Sequence, residues 1–237
     1  TYERLEVPPE GLADKVRALR QSCRGVNVTI PHKVAVLAEL DWISPEAAAI
    51  GAVNTILFRE DRAEGYNTDY FGFSRLLARH GLQPGGKRVC VLGTGGASRA
   101  VLQCLHDEGA ASIQVVSRHP ETAPAALRSR FPLISYDQLR TLQGDLLVNC
   151  TPVGMFPNIA ASPVDAAVMD RFGAAVDLIY NPAQTCFLQL ADRQGKPAVN
   201  GLYMLVAQAV RADEIWLGRT LDEALVDAVV DDVRGLL

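Results

Sequence analysis

The sequence predicts an α/β protein built on a mostly parallel, helix-covered sheet, and three observations lead there. Short apolar runs alternate with stretches of helical spacing along most of the chain. Arg88-Val89-Cys90-Val91-Leu92 runs directly into the glycine loop Gly93-Thr94-Gly95-Gly96, and helical spacing follows from Ala97 to Glu108. Leu146 to Cys150 and Ala174 to Tyr180 are hydrophobic runs that stop in polar or turn residues, as strands covered on both faces do.

Taken in order, Thr1 to Val7 alternates and is expected to form a strand, and Glu10 to Arg20 has helical spacing. Gly25 to Ile30 is a β-branched strand closed by Pro31, and Lys33 to Leu40 reads as helix. Pro45 to Ala49 makes a second short helix, Ala52 to Phe58 a strand, and Asp61 to Gly65 a turn leading into Tyr66-Asn67-Thr68-Asp69. Phe71 to His80 is an amphipathic helix. Gly81 to Lys87, with Pro84, Gly85 and Gly86, is the clearest break in composition, and a domain boundary is expected near it. Beyond the glycine loop, Ser112 to Val116 is a strand and Ala123 to Ala126 helix material. Gly201 opens a helix through Ala212, and Leu221 to Leu237 forms another. No internal repeat is present.

Composition sets outer limits. The 237 residues, 49% hydrophobic and 21% charged, suffice for one large domain or two small ones. A net charge of −4 with dispersed basic residues makes neither nucleic acid nor a membrane an expected partner. Cys23, Cys90, Cys104, Cys150 and Cys186 are odd in number and lack a C-x-x-C pair, which reads as reduced cysteines of a cytoplasmic protein. No basic-then-apolar leader and no run of about 18 apolar residues is present. His32, His80, His106 and His119 show no metal-ligand spacing, so no metal is expected.

Strand, glycine turn and helix in succession form a phosphate cradle. Glycines let the backbone approach a pyrophosphate, whose charge meets free N–H groups and the positive end of the helix dipole. Ser98 stands where a third glycine is usual, and it is small enough for close helix packing. Where an NAD-binding unit places an acidic residue on the ribose 2′-hydroxyl, after the second strand, this chain has Ser117-Arg118-His119. A guanidinium there can hold a 2′-phosphate by charge-assisted contact, so NADP is expected over NAD. The competing reading of Arg118 is a solvated strand-end charge.

Six motifs in order carry a resemblance: Gly25-Val26-Asn27-Val28-Thr29-Ile30-Pro31-His32-Lys33, Gly51-Ala52-Val53-Asn54-Thr55, Asn67-Thr68-Asp69 with Gly72, Gly93 to Arg99, Asn149-Cys150-Thr151-Pro152-Val153-Gly154-Met155, and Gly201-Leu202-Tyr203-Met204-Leu205-Val206 with Gln208. Together they resemble the shikimate dehydrogenase family. The resemblance implies an N-terminal α/β substrate-binding domain (1–82), a C-terminal Rossmann NADP-binding domain (83–200), and last helices (201–237) that return to the first domain. It further implies reversible reduction of 3-dehydroshikimate with NADPH, in a cytoplasmic monomer or homodimer.

Carried over by position, the resemblance makes Lys33 and Asp69 the catalytic pair, and Thr29, Asn54, Asp69, Tyr180 and Gln208 substrate contacts. It places Gly93, Thr94, Gly95, Gly96, Ala97, Ser117, Arg118, Thr151, Pro152, Gly201 and Met204 at the cofactor. The chemistry of the residues agrees, because oxidation of an alcohol by hydride transfer also requires a group that takes the hydroxyl proton. A lysine oriented by an aspartate can do this. Taken singly, Lys33 reads as a solvated helix-start charge, Asp69 as a turn or cap residue, Tyr180 as a packed aromatic, and Asn54 equally as a ligand contact or a structural hydrogen-bond partner.

Three departures from the family accompany these matches. No strand and serine-rich loop precede Thr1, so the chain is expected to lack an N-terminal piece. The second basic residue frequent a few positions after Arg118 is missing from Ser117-Arg118-His119-Pro120-Glu121-Thr122, and Glu121 adds a nearby negative charge, which weakens the expected preference for NADP. Tyr70-Phe71 are bulkier than usual and are expected to reshape the pocket rim. A quinate/shikimate dehydrogenase using NAD or NADP, and a noncatalytic NADP-binding sensor, remain alternatives on the sequence alone.

Overall fold

A computed structural model describes residues 1–236. Thr1 to Val7, expected as a strand, is irregular and mostly exposed, with no ladder partner among the described residues. Alternation alone does not make a strand: its N–H and C=O groups must enter a ladder, and here the contact with β1 is a side-chain one, Tyr2 hydroxyl to Asn27 Oδ1 at 3.0 Å. Helix α1 (Leu12–Leu19) comes next, buries Leu12 and Val16, and leads to β1 (Gly25–Asn27). A single turn, α2 (His32–Ala35), continues as 3₁₀ helix over Val36–Glu39 before β2 (Trp42–Ile43). Helix α3 (Pro45–Ile50) is capped by Ser44, starts with proline, and ends at Gly51 in the left-handed region, φ +69°.

Strands β3 (Thr55–Arg59) and β4 (Arg62–Tyr66) form a hairpin over what the sequence presented as a turn. Its two-residue loop holds both Glu60 and Asp61 at positive φ, the arrangement that matches strand twist but for which glutamate is a poor signal. The first sheet has the order β1-β3-β4-β2, with only the β2–β4 pair parallel. The expectation of a mostly parallel arrangement therefore fails for this half, because hairpin closure and the return of β1 onto β3 impose antiparallel pairs. Its core is Leu12, Val16, Val36, Ala47, Val53, Ile56, Phe58 and Ala63.

Helix α4 (Thr68–Arg79) leads out of this sheet. The second half is regular: β5 (Arg88–Leu92), α5 (Gly96–Asp107), β6 (Ser112–Val116), α6 (Ala125–Arg128), β7 (Leu133–Ile134), α7 (Tyr136–Leu139) and β8 (Gly144–Asn149). It continues through α8 (Ala166–Met169), β9 (Phe172–Asp177), α9 (Cys186–Arg193) and β10 (Ala198–Val199). All six strands are parallel, in the order β10-β9-β8-β5-β6-β7. The order reverses between β5 and β8, the switch point at which such sheets open a crevice beyond their carboxyl ends. Weak two-residue strands such as β7 and β10 leave little apolar signal, which is why the sequence does not announce them.

Helices α10 (Leu202–Leu217) and α11 (Glu223–Arg234) complete the chain, and Leu237, the end of the expected last helix, lies outside the described residues. Phe73, Leu76 and Leu77 of α4 share one core with Val89 and Val91 of β5, Leu202 to Val210 of α10, and Val226 and Val230 of α11. The other face of the second sheet buries Leu92, Leu147, Phe172 and Phe187. Helix α10 also reaches the first sheet, where Trp216 Nε1 donates to the Ile56 carbonyl at 2.9 Å. The five cysteines are free thiols, two of them buried.

Candidate active site

The dipeptide Val53-Asn54 ties together the segments that carry the expected catalytic residues. Val53 N donates to the Lys33 carbonyl at 2.8 Å, Asn54 N to the Tyr66 carbonyl at 3.0 Å, and the Asn54 carbonyl accepts from Val28 N at 2.8 Å. The Asn54 side chain extends the junction: its Oδ1 accepts from Thr68 N at 2.8 Å and from the Thr55 hydroxyl at 3.1 Å. Among the described residues its amide nitrogen makes no protein hydrogen bond, which leaves two donors for a ligand.

Asn67 caps α4, with Oδ1 accepting from Tyr70 N at 3.4 Å and Nδ2 donating to the Ala52 carbonyl at 2.9 Å. Asp69 thus sits in the first helical turn, where unpaired N–H groups favour a carboxylate. Lys33 Nζ donates to Asp69 Oδ2 at 2.7 Å, with side-chain exposures of 26% and 10% respectively. The pair is close, partly buried and still reachable by a small molecule. Thr29 lies exposed four residues before Lys33, with its carbonyl accepting from His32 N at 2.8 Å.

Helix α10 closes tightly on α4 near this point. A Cβ on Gly72 would stand 2.7 Å from the Met204 carbonyl and 3.2 Å from Gln208 Cβ, so glycine permits the approach that sets half-buried Gln208 beside the helix carrying Asp69. The Met204 side chain is buried in the shared core. Gly201 is pinned as well: its N–H donates to the Ile179 carbonyl at 3.0 Å, and an added Cβ would collide with the Leu178 backbone. Tyr180, just past β9, is 38% exposed.

On the side of the second sheet, Gly93 holds φ +100°, and a Cβ there would stand 2.9 Å from Thr151 Cγ2, so the loops after β5 and β8 meet across the switch point. Thr94 is half-buried and Ala97 exposed, while at Gly95 and Gly96 the space a Cβ would fill is open. Gly95 caps α5 without a side-chain bond. Ser98 is fully buried and donates to the Gly95 carbonyl at 2.7 Å, which keeps the turn tight without a third glycine. Ser117 Oγ accepts from His119 N at 3.2 Å; Arg118 is exposed and forms no ion pair among the described residues. His119 instead stands 3.6 Å from Glu121. Half-buried Thr151 donates its hydroxyl to Asn149 Oδ1 at 2.7 Å, and Pro152 next to it is exposed. The uncapped helix end, open glycines and free guanidinium fit a phosphorylated dinucleotide.

The seam between the two halves holds residues outside the motif-based site. Tyr70 packs between Ile50 and Ala52 on one side and Ala100 on the other, and its hydroxyl donates to Asp107 at 3.2 Å. Phe71 has the guanidinium groups of Arg75 and Arg211 over its ring, at 5.5 and 5.0 Å from its centroid. Arg130 bridges the halves, donating to the Ala49 carbonyl at 2.8 Å and to Gln103 Oε1 at 2.6 Å. A second buried cluster, Asn149, Asp177 and Thr185, lies at the carboxyl ends of β8 and β9. A carboxylate closing an apolar run was the available signal for it, since such a group is kept only with partners. Among the described residues no cluster of three or more His, Cys, Asp or Glu side chains suits a metal, and no helix is long and apolar enough to cross a membrane.

Comparison with known proteins agrees over nearly the whole chain. The family described as "Shikimate dehydrogenase substrate binding domain" matches residues 1–56. A shikimate dehydrogenase (NADP(+)) of Clostridium perfringens is 43% identical over 213 residues, covering 89% of this chain and 79% of the relative. The crystal structure of a chorismate mutase/shikimate 5-dehydrogenase fusion protein from Clostridium acetobutylicum superposes with a TM-score of 0.94 at 47% identity, covering 98% of this chain and 85% of that one. The shikimate 5-dehydrogenase of Thermus thermophilus, solved with NADP(H) and shikimate, gives 0.84 at 39% identity, covering 95% and 85%. On fold, ordered motifs and these similarities, the chain belongs to the shikimate dehydrogenase family.

Proposed function

We propose that this chain is an NADP-dependent shikimate dehydrogenase, an oxidoreductase that interconverts 3-dehydroshikimate and shikimate in aromatic amino-acid biosynthesis. The observation that carries it is the Lys33–Asp69 pair at 2.7 Å, on segments that Val53 and Asn54 tie together. Residues 1–82 bind substrate, 83–200 bind the dinucleotide, and 201–237 brace the first unit, a division supported by the packing of α10 on α4 and its Trp216 bond to β3. All proposed site residues come from one chain, so monomer and homodimer are both workable forms. The free thiols fit a reducing cytoplasm.

Bound NADP supplies the hydride acceptor, and NADPH the donor. Gly93, Thr94, Gly95, Gly96 and Ala97 would hold its pyrophosphate and Ser117 and Arg118 its 2′-phosphate, with Thr151, Pro152, Gly201 and the backbone of core-buried Met204 near the remainder. Thr29, Asn54, Tyr180 and Gln208 orient the polyol ring through its hydroxyls. During ketone reduction the Lys33 ammonium gives a proton from Nζ to the carbonyl oxygen while Asp69 Oδ2 keeps that nitrogen in place. During alcohol oxidation the same proton returns to Nζ.

The test incubates the chain with shikimate or quinate and with NADP or NAD, and follows formation of the reduced nicotinamide by absorbance. Turnover of shikimate with NADP, exceeding that of the other three pairs, is the expected result. No turnover of either acid by protein that binds NADPH would make the sensor reading the better one, and a preference for quinate would change the substrate.

A further inference from the structure

Asp177 is a fully buried carboxylate that the chemistry above does not use. Its Oδ1 accepts from Asn149 Nδ2 at 3.0 Å and from Ile179 N at 3.1 Å, and its Oδ2 from the Thr185 hydroxyl at 2.6 Å. Each donor belongs to a different segment. Asn149 in turn accepts from both the N–H and the hydroxyl of Thr151, at 3.0 and 2.7 Å. Ile179 precedes Tyr180, and its carbonyl receives the Gly201 N–H that opens α10. Thr185 caps α9, with its oxygen accepting from Leu188 N at 3.3 Å. The Cys150 thiol is the titratable neighbour, its pKa raised by burial and by Asp177, and no cation pairs with the carboxylate among the described residues.

A buried anion satisfied only by neutral donors costs more than an apolar residue of the same size. What it does here, accepting three hydrogen bonds from three segments, an apolar side chain cannot do. One carboxylate here joins the loop after β8 to the loop after β9, beside the switch point of the sheet.

We infer that Asp177 is a positioning residue for the proposed reaction: through Asn149 it sets Thr151 on the cofactor side of the crevice, and through the Ile179 amide it sets Tyr180 on the substrate side. This rests on the shikimate dehydrogenase reading given above. Hydride transfer is sensitive to small displacements of its two partners, so loosening the joint lowers turnover more than it weakens either ligand.

The test compares Asp177→Ala, Asp177→Asn and Asn149→Ala with the unaltered chain, by steady-state kinetics and by titration of NADPH fluorescence. Asp177→Ala strips the acceptor from three buried donors, and kcat is expected to fall about ten- to a hundredfold, beyond any rise in either KM. Asp177→Asn keeps Oδ1 for Asn149 and Ile179 and lets the Thr185 hydroxyl accept from the new amide, so kcat is expected within about threefold of the parent. Asn149→Ala cuts the Thr151 arm, including its bond to Asp177, while leaving the Ile179 and Thr185 bonds in place, and is expected to weaken NADPH several-fold with the KM for shikimate nearly unchanged. Parental kinetics in Asp177→Ala, or equal losses in the alanine and asparagine variants, would overturn the inference. Should Asp177→Ala not fold, Asn149→Ala decides, with unchanged NADPH affinity counting against it. If the parent itself binds NADPH without turning over shikimate, the functional reading fails while the fluorescence titrations still test the Thr151 arm.

Discussion

Lys33 Nζ lies 2.7 Å from Asp69 Oδ2 across 36 residues of sequence, and neither residue is placed by its own segment alone. Lys33 sits in a one-turn helix whose backbone is anchored by Val53, and Asp69 follows a cap whose amide is anchored by Ala52. Both anchors belong to the strand-entry segment 52–54, so the pair is rigid without being fully buried. Lys33→Ala is expected to lower kcat by about 10²- to 10⁴-fold with a much smaller change in the KM for shikimate. Asp69→Asn is expected to lose turnover similarly and to weaken substrate as well. Near-parental turnover in Lys33→Ala would show that another group moves the proton.

On the proposed function, cofactor choice turns on Arg118, whose guanidinium forms no ion pair among the described residues. Arg118→Ala is expected to raise the KM for NADP about ten- to a hundredfold while leaving NAD little affected, the effect of one lost charge-assisted contact of about 1.5–3 kcal/mol. Glu121→Arg exchanges the carboxylate near His119 for a second cation and is expected to shift preference further toward NADP. Parallel KM measurements with both dinucleotides decide; equal loss for the two in Arg118→Ala would assign that residue to the fold.

Burial raises the Asp177 pKa from 3.8 to about 6, only partly offset by its donors Thr185, Ile179 and Asn149. The folded protein then holds this proton at pH values where the unfolded chain has released it. Stability from this group is complete below about pH 4 and is lost as pH rises through about 6, a change on the order of 3 kcal/mol. Asp177→Asn removes that dependence. Urea unfolding at pH 4.5 and 7.5 is expected to show the variant gaining on the parent at the higher pH. A difference between the two proteins that does not vary with pH would contradict it.

Gly72→Ala drives a methyl group into the Met204 carbonyl, where no flexible side chain can yield. Overpacking at such a backbone contact costs about 1–3 kcal/mol. The expected readout is a lower Tm together with a raised KM for shikimate, because separating α10 from α4 carries Gln208 away from Asp69. A fall in Tm without a change in KM would remove Gln208 from the substrate contacts.

Much of this protein was legible in its sequence because the signals are local. Strand β5, the glycine loop and α5 follow one another within 20 residues, and their apolar periodicity and glycine placement state the parallel half directly. Asn67 before Thr68-Asp69 is a helix cap that any chain would form there. Ordered motifs then offered candidate residues for the site, and the chain belongs to the family those motifs resemble.

Other features depend on partners distant in sequence, and only the tertiary structure decided them. Thr1 to Val7 has strand alternation yet no ladder partner among the described residues, whereas Arg62–Tyr66 lacks strong alternation and becomes a strand because β3 and β2 supply its hydrogen bonds. Tyr70, which the sequence set at a pocket rim, fills the seam between the halves because Ala100 comes to face Ile50 and Ala52. The role of Asp177 likewise emerges only when Asn149, Ile179 and Thr185 converge on it. Periodicity and caps are written within a turn or two of the chain; ladder partners, seams and buried acceptors are set by which surfaces meet once the chain has closed.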